Sequence, residues 1–319
     1  MKHRLIVRRH ARRVLWVLAA ALGLLVFYAH RGADSTSVAD EGSAPTNSPP
    51  AAILLLFEKQ ASSPPWNADT PAKTQGILQE CTTLQQLVTS GATDDVLSNA
   101  LAASTLRISV FMTFGQGLYS TGDTHHAEMF FTSVVNDHPT RATAKQLARS
   151  WLWLGKLYQA DALTLKYQQS DPAAAAGLFD TAATDYLAAK DASADWVRTS
   201  GWLGAAQCYR QMGQQAMCRL CLTSLLQELA TNGVTLAGTD IALGPIRQDA
   251  ATHLLATSYY EDGRYQEAAQ VYSQLLTHVS AQLNVGSPQY PGQASYVNLA
   301  NAGLSWCAAR QAEQTGGAQ

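Results

Sequence analysis

A short pattern of large and small apolar residues recurs four times in the middle of this 319-residue chain. Its clearest copy runs from Trp151 to Tyr158, where tryptophan, leucine, glycine and tyrosine stand at the first, fourth, fifth and eighth positions. The other copies place a small residue at the equivalent point, namely Gly115, Ala206 and Ala256. Because internal repetition implies a repeated structural unit, this pattern limits the fold more than any other sequence feature.

Each residue type in the pattern has a structural reason. The small residues predict close crossings of two helices, where a larger side chain would hold the backbones apart. Gly122, Gly213 and Gly263 fall at the expected turns between helices, where a positive φ is useful. Large side chains are expected to fill the space between successive hairpins: Phe131, Trp151, Trp202 and Tyr272. One hairpin cannot bury its own apolar face, so at least three must stack.

After Thr74, apolar residues recur three and four positions apart, as in Ile77, Cys81, Leu84 and Val88, which predicts helices with one buried face. A second stripe runs through Leu97, Leu101, Ile108 and Phe111. The only strand candidate, 234–242, is better interpreted as a loop. The predicted fold class is therefore all-α, with short connections that favour antiparallel pairs. The predicted helices are a pair at 75–105 and then 123–137, 142–165, 172–190, 195–212, 214–231, 246–261, 264–281 and 292–313.

The segment from Trp151 to Tyr158 resembles the first-helix signature of the tetratricopeptide repeat family. The most family-like stretch is 259–276, YYEDGRYQEAAQVYSQLL. The resemblance covers about residues 108–281, and it implies a right-handed superhelix of about four helix hairpins, to which we add a capping helix at 293–312. The repeats depart from the family period of about 34 residues. The extra residues after Tyr158 either extend a helix or form a loop, and a second insertion follows Asn232.

The N-terminus predicts a membrane anchor. Residues 14–29 form an uncharged apolar run, preceded by six Lys or Arg residues and followed by Arg31. The run is long enough for a transmembrane helix at 14–30, and the positive-inside rule keeps the basic tail 1–13 in the cytoplasm. The remainder would then be extracytoplasmic, in the periplasm of a Gram-negative cell whose inner membrane holds the anchor. A cleaved secretory signal peptide is the main alternative, and a mitochondrial presequence is a second.

The remaining organisation follows from composition. Residues 31–73 are rich in small polar residues and proline, which predicts a flexible linker. The apolar island 53–57 interrupts this linker and either packs on its own domain or binds a partner. A helical solenoid is expected over 74–313, and a disordered tail over 314–319. Beyond residue 31 the chain has a formal charge of about −9, which excludes nucleic acid as a partner because phosphates would be repelled.

The resemblance implies binding of peptides or partner proteins in a groove lined by the first helices. The middle of this groove would be basic and aromatic, which suits a partner with an acidic or C-terminal carboxylate group and an apolar side chain. The alternative is that these are ordinary solvated helix residues. The corresponding positions in this chain are Gln116, Tyr119, Arg149, Trp153, Lys156, Gln159, Gln207, Arg210, His253 and Tyr260.

Two clusters could carry chemistry instead. Cys218 and Cys221 form a C-x-x-C motif inside a predicted helix, so small-core packing explains them better than thiol or metal chemistry. A disulfide among Cys208, Cys218 and Cys221 stays open for an oxidising compartment. His125 and His126, with Asp123 and Glu128, could ligate a metal, but a charged helix start explains them better.

No nucleophile, phosphate-binding or metalloprotease motif is present, so we expect neither an enzyme nor a cofactor or bound metal. The sequence therefore predicts a membrane-anchored extracytoplasmic scaffold or adaptor that mediates protein–protein interactions in a membrane-associated complex. One alternative is a structural subunit of a single stable membrane complex. The alternative from another class is a thiol or metal protein that uses Cys218 and Cys221.

Overall fold

The computed structural model describes residues 71–193, 195–232, 243–285 and 292–316. Within these ranges it contains eleven α-helices and no strand, which confirms the all-α fold class for this part of the chain. In chain order the helices are α1 Pro71–Thr89, α2 Asp94–Ala103, α3 Ile108–Ser120, α4 Thr124–Asn136, α5 Ala144–Tyr167, α6 Pro172–Asp191, α7 Trp196–Gln211, α8 Gln215–Asn232, α9 Leu243–Glu261, α10 Tyr265–Val285 and α11 Gln293–Gly316.

The apolar stripe from Leu97 to Phe111 is broken between α2 and α3, at residues 104–107. Polar side chains explain the break, because they bind backbone groups that a continuous helix would use itself. The Glu80 carboxylate accepts from the backbone N–H of Thr105 at 3.0 Å and also binds the Ser104 hydroxyl. Arg141 donates to the carbonyl oxygen of Ser104 at 2.7 Å. Buried backbone groups need such partners wherever a helix ends.

The residues after Tyr158 extend a helix and do not form a loop, since α5 continues to Tyr167. A capping box fixes the start of α5, where the Thr143 hydroxyl accepts from the Gln146 N–H at 3.2 Å and the Gln146 side chain accepts from the Thr143 N–H. The next helix, α6, begins with Asp171 as its cap and proline at its first position, a combination that suits a sharp start.

The turn glycines adopt the conformation that the sequence predicts. Gly122, Gly213 and Gly263 have φ values of 88°, 75° and 76°, in the left-handed region that side chains with a Cβ avoid. Each of them joins the two helices of one hairpin, α3–α4, α7–α8 and α9–α10. The predicted helix–turn–helix units are therefore confirmed at these places.

Most successive helices pack against each other, α2 contacts α4, and the odd-numbered helices also contact one another: α3 with α5, α5 with α7, α7 with α9, and α9 with α11. Two main cores result. The N-terminal core is built from α1–α5, and the central core from α5–α9. Trp151 and Tyr158 on α5 pack against both cores. This order of contacts is compatible with a helical repeat solenoid.

Helix α1 begins three residues inside the predicted linker 31–73, and α11 continues to Gly316, three residues past the predicted domain end at 313. Residues 314–316 of the predicted tail are therefore helical in the structure. The predicted tail 1–13, anchor 14–30, island 53–57 and loop 234–242 lie outside the described residues. Among the described helices, none combines the length and apolar character needed to span a bilayer.

Candidate functional site

The ten predicted groove residues lie on α3, α5, α7 and α9, and every one of them is half-buried. We call this set the odd-helix row. Gln116 and Tyr119 lie on the last turns of α3, and the next four members follow along α5. Gln207 and Arg210 lie near the end of α7, while His253 and Tyr260 lie on α9. Half-burial of the whole set means that its members touch neighbouring helices and also reach solvent.

The best-defined part of the row is an aromatic cluster around Trp153. The indole stacks on the Phe131 ring at 5.7 Å, with the two planes 3° apart, and Tyr119 meets it edge-on at 5.0 Å. The Lys156 ammonium lies 4.4 Å from the centre of the indole ring, which is within the range of a cation–π contact. Three of the predicted residues from two helices are thus brought together as one cationic, aromatic surface.

Arg149 does not join this cluster. Its guanidinium carbon lies 5.8 Å from the centre of the Trp196 ring on α7, and its Nε is buried without a hydrogen-bond partner among the described residues. The guanidinium of Arg247, on α9, lies 5.6 Å from the same ring. Arg149 therefore contributes to the packing of α5 on α7, and less to the solvent-facing side of the row.

Further along the row, polar side chains connect neighbouring odd helices. The Gln159 amide donates to Gln207 Oε1 at 3.2 Å, and the Tyr186 hydroxyl donates to Gln159 Oε1 at 2.7 Å. Gln159 and Gln207, two members of the row, therefore lie in contact with each other. Part of the hydrogen-bonding capacity of these two amides is used in contacts within the protein.

Arg210 forms a two-point ion pair with Glu261 across α7 and α9, at 3.0 and 2.7 Å. The Gln215 amide also donates to this carboxylate, at 3.1 Å. The Glu261 carboxylate therefore compensates the positive charge of Arg210 that the sequence places in the row. Glu261 carries no sequence signal as its partner, because 51 residues separate the two and only the packing of α7 on α9 joins them.

The α9 members of the row lie in an aromatic environment. His253 lies 6.0 Å from the Tyr272 ring and 6.2 Å from the Tyr296 ring. Burial lowers the pKa of His253 to about 4, so this imidazole is neutral near pH 7. Tyr260 contacts Tyr265 and Trp306, and Arg310 Nε lies 3.4 Å from its hydroxyl. Trp306, on α11, remains 43% exposed, and it was not singled out from the sequence.

The cysteines do not form a reactive site. Cys208, Cys218 and Cys221 are buried free thiols. Burial raises the pKa of Cys208 well above its usual range, and it raises the pKa of both Cys218 and Cys221 to about 11. A thiol with such a pKa is protonated at neutral pH and is a poor nucleophile. Their positions agree with small residues of the helix-packing core.

The histidine pair at the start of α4 serves local structure. Asp123 caps this helix, its carboxylate accepting from the His126 backbone N–H and lying 2.7 Å from His126 Nδ1. His125 pairs with Asp94 of α2 at 2.9 Å. In the part of the chain that the structure describes, no three His, Cys, Asp or Glu residues are placed so that they could hold a metal ion.

Three aromatic residues of even helices occupy equivalent places, and the sequence pattern identified only two of them. A Cβ at Gly115 of α3 would lie 2.7 Å from the Phe131 ring, and Phe131 also stacks on Trp153 of α5. Tyr186 of α6 lies against Gly155 of α5 and Gly204 of α7, where added Cβ atoms would come within 3.0 and 2.5 Å of its ring.

Tyr272 of α10 repeats the arrangement. Its hydroxyl lies 3.1 Å from the Thr257 hydroxyl of α9, and a Cβ at Gly303 of α11 would come within 2.5 Å of its ring. Each of the three rings is thus wedged between the first helix of its own hairpin and the odd helix that follows. Tyr186 is the member that sequence reasoning missed, because the long α5 shifts it out of the family spacing.

No protein-family model, no curated protein and no solved structure matches this chain.

Proposed function

We propose that this chain is an array of tetratricopeptide-like helix hairpins that binds a protein partner along the odd-helix row. The single observation that carries the proposal is the recurrent wedge of Phe131, Tyr186 and Tyr272, each placed between consecutive odd helices. A repeated contact of this kind holds odd helices side by side and generates one extended surface from residues far apart in the chain. We also propose that these hairpins form a right-handed superhelix of the tetratricopeptide repeat type.

The chemistry of the row supports a partner segment with an apolar side chain and a carboxylate. Lys156 on the Trp153 indole offers a cation beside an aromatic surface, a combination that binds such groups well. Arg210 contributes less because Glu261 already compensates its charge. Tyr260 and Trp306 supply aromatic contact at the α9 end of the row.

We also propose where the chain lies in the cell. The segment 14–30 would anchor the chain in the inner membrane with the helical domain on the periplasmic side. There it would serve as a scaffold or adaptor of a membrane-associated complex, or as a fixed structural subunit of one such complex. The raised pKa values of Cys218 and Cys221 count against the alternative of a thiol protein.

The proposal is tested by co-purification from native membranes in mild detergent, followed by affinity measurement with the isolated partner. Lys156→Glu places a negative charge beside Trp153 and should weaken binding at least tenfold, since it repels a carboxylate. Lys145→Glu makes the same charge change on the same helix, at an exposed position that loses only a long 3.8 Å ion pair with Asp195, and should bind like the wild type. Equal affinities of the two variants would contradict the proposed site.

A scaffold and a structural subunit differ in what accompanies the wild-type chain. Partners in fixed stoichiometry that dissociate only when the fold is lost would indicate a subunit. Partners that exchange with added competitor peptide would indicate an adaptor. A chain that purifies alone, and binds nothing that Lys156→Glu alters, would contradict both.

A further inference from the structure

The two ends of the odd-helix row differ in charge. Between them, α3 and α5 carry four basic residues and a single acidic one, Asp161. Helix α9, at the other end, carries one basic residue and two acidic ones. One of those acids, Glu261, pairs with Arg210 of α7. The α3–α5 end is therefore the more positive end of the row, and it suits a segment that carries a carboxylate.

The surface at this end is the aromatic cluster around Trp153, and it is open to solvent in part. Tyr119, Trp153 and Lys156 are each half-buried. The Tyr119 ring meets the indole edge-on, and the Lys156 ammonium lies 4.4 Å from the indole centre. These contacts hold an aromatic ring and a cation side by side. A short segment with an apolar side chain next to a carboxylate can contact both of them at once.

The chain itself contains a segment with this chemistry, outside the described residues. The island 53–57 consists of five large apolar residues, and Glu58 follows it directly. Among residues 31–70, Glu58 is the only acidic residue that directly follows a large apolar one. A contiguous apolar run of this kind is unfavourable in water, so it is expected to lie against protein or lipid.

The place of this segment in the chain brings α3 and α5 within its reach. Glu58 precedes Pro71, the first residue of α1, by 13 positions, which span at most about 45 Å when fully extended. Helix α1 packs in the same core as α3 and α5. It is about 28 Å long, and packed helices lie about 10 Å apart. A tether of this length gives an effective concentration on the order of millimolar, so a contact of modest affinity is occupied.

We infer that residues 53–58 of this chain occupy the α3–α5 end of the odd-helix row. Phe57 lies against Tyr119 and Trp153, and the Glu58 carboxylate pairs with the Lys156 ammonium. The contact uses the surface of the proposed function and therefore rests on that proposal. It adds a regulator, because a partner must displace the chain's own segment before it binds at this end of the row.

The contact is tested by photo-crosslinking in the purified full-length chain, in detergent micelles and without a partner. p-Benzoylphenylalanine in place of Phe57 should crosslink to α3 or α5 of the same chain, which mass spectrometry of the joined peptides reports. The same group in place of Val38 is the control and should give no such crosslink. Crosslinks that join two chains would overturn the contact within one chain and assign the segment to a second copy. Crosslinks to detergent alone, or to other helices alone, would overturn the inference.

Charge reversal distinguishes a specific pairing from general apolar contact. Glu58→Lys and Lys156→Glu should each lower the crosslink yield from position 57 at least fivefold, because each brings two like charges together. The two changes combined should restore the yield. Lys145→Glu on α5 and Lys59→Ala in the tail are the matched controls and should leave it unchanged. A combined variant that crosslinks no better than the single ones would overturn the pairing.

Competition tests the regulatory role. A labelled peptide of residues 51–60 should bind the full-length variant Leu55→Ser/Phe57→Ser at least tenfold more tightly than the wild type, because the wild-type segment competes for the same site. Equal affinities would overturn the inference. None of these experiments uses a partner, so their failure leaves the proposed function standing. A chain that shows the crosslink from position 57 but binds no partner would contradict the proposed function alone.

Discussion

At the scale of single residues, the fold depends on places where only glycine fits. Gly201 is the most demanding, because an added Cβ would overlap the backbone carbonyl oxygen of Tyr186, which cannot rotate away. At Gly155 and Gly204 the obstacle is the Tyr186 ring. One aromatic residue of α6 is thus enclosed by glycines of two odd helices, which explains how α5 and α7 approach on either side of it.

We predict that Gly201→Ala destabilises the protein by about 1–3 kcal/mol, because α6 and α7 must separate to admit the methyl group. Gly177→Ala is the matched control. Gly177 lies inside α6, and an added Cβ there would meet nothing within 4 Å. That variant should gain about 0.5–1 kcal/mol from helix propensity. Urea unfolding measures both, and an equal loss in the two variants would contradict the packing of α6 on α7.

Asp185 predicts an unusual pH dependence of stability. The pKa of its carboxyl rises from 3.8 to about 7 on folding, so the folded state holds a proton that the unfolded state loses. Stability should therefore fall as pH rises from about 4 to about 7, by up to about 1.4 kcal/mol per pH unit, and level off above.

Unfolding free energies measured from pH 5 to pH 8 test this. Asp185→Asn should flatten the curve, since the amide cannot lose a proton, whereas Asp180→Asn should leave its slope unchanged. A wild-type stability that increases through this range would show that other groups dominate, and an unchanged slope in Asp185→Asn would contradict the assignment to Asp185.

At the scale of helices, the ends are set by local side chains to different degrees. α5 begins at a reciprocal capping box of Thr143 and Gln146. α2 begins after Thr93, whose side chain makes no capping hydrogen bond. The same residue type therefore stands at two helix starts with different roles, which allows a direct comparison.

We predict that Thr143→Ala costs about 1 kcal/mol, because the Gln146 N–H in the first turn of α5 loses the hydroxyl oxygen that caps it. Thr93→Ala should cost much less, since no side-chain hydrogen bond is lost. Thermal unfolding with far-ultraviolet circular dichroism distinguishes them. If Thr93→Ala proved as costly as Thr143→Ala, the difference in capping would not hold in solution.

Features that depend on short sequence spacing could be predicted, and those that depend on distant residues could not. The sequence predicts turns at Gly122, Gly213 and Gly263 and a close helix crossing at Gly155, because each glycine lies within a recognisable local pattern. The pairing of Arg210 with Glu261 carries no such signal across 51 residues.

The other unpredicted features depend on how α5 is built. The sequence predicts a helix over 142–165, close to the observed α5, but it leaves open how the residues after Tyr158 divide between helix and loop. The length of α5 in turn determines where Tyr186 lies against α7 and how deeply Asp185 is buried. The repeat spacing in the sequence predicts neither property. The partial burial of the odd-helix row could not be predicted from the sequence either, because it follows from contacts between helices of different hairpins.

At the scale of the whole molecule, α5 connects the two main cores. Trp151 and Tyr158 pack against both the N-terminal and the central core, whereas Trp202 packs against the central core alone. In an array whose units contact only their neighbours, cooperative unfolding depends on such shared residues. The described helices from α1 to α9 are expected to unfold together because α5 links these cores.

We predict that Trp151→Ala separates the unfolding of the two cores, giving two transitions or a reduced urea dependence, because the shared contact is lost. Trp202→Ala should lower stability but keep a single transition. Urea unfolding combined with hydrogen exchange measures this for each core separately. A single, fully cooperative transition in Trp151→Ala would mean that other contacts couple the cores.

The central claim, that a protein partner binds along the odd-helix row, is tested most directly by site-specific photo-crosslinking of the full-length chain in native membranes. p-Benzoylphenylalanine would replace Tyr119 or Tyr260 in the row, and Leu220 on α8 or Val96 on α2 as exposed controls. The account predicts that both row positions crosslink one and the same partner protein and that the control positions do not. Crosslinks to that partner from Leu220 or Val96, with none from Tyr119 and Tyr260, would contradict it.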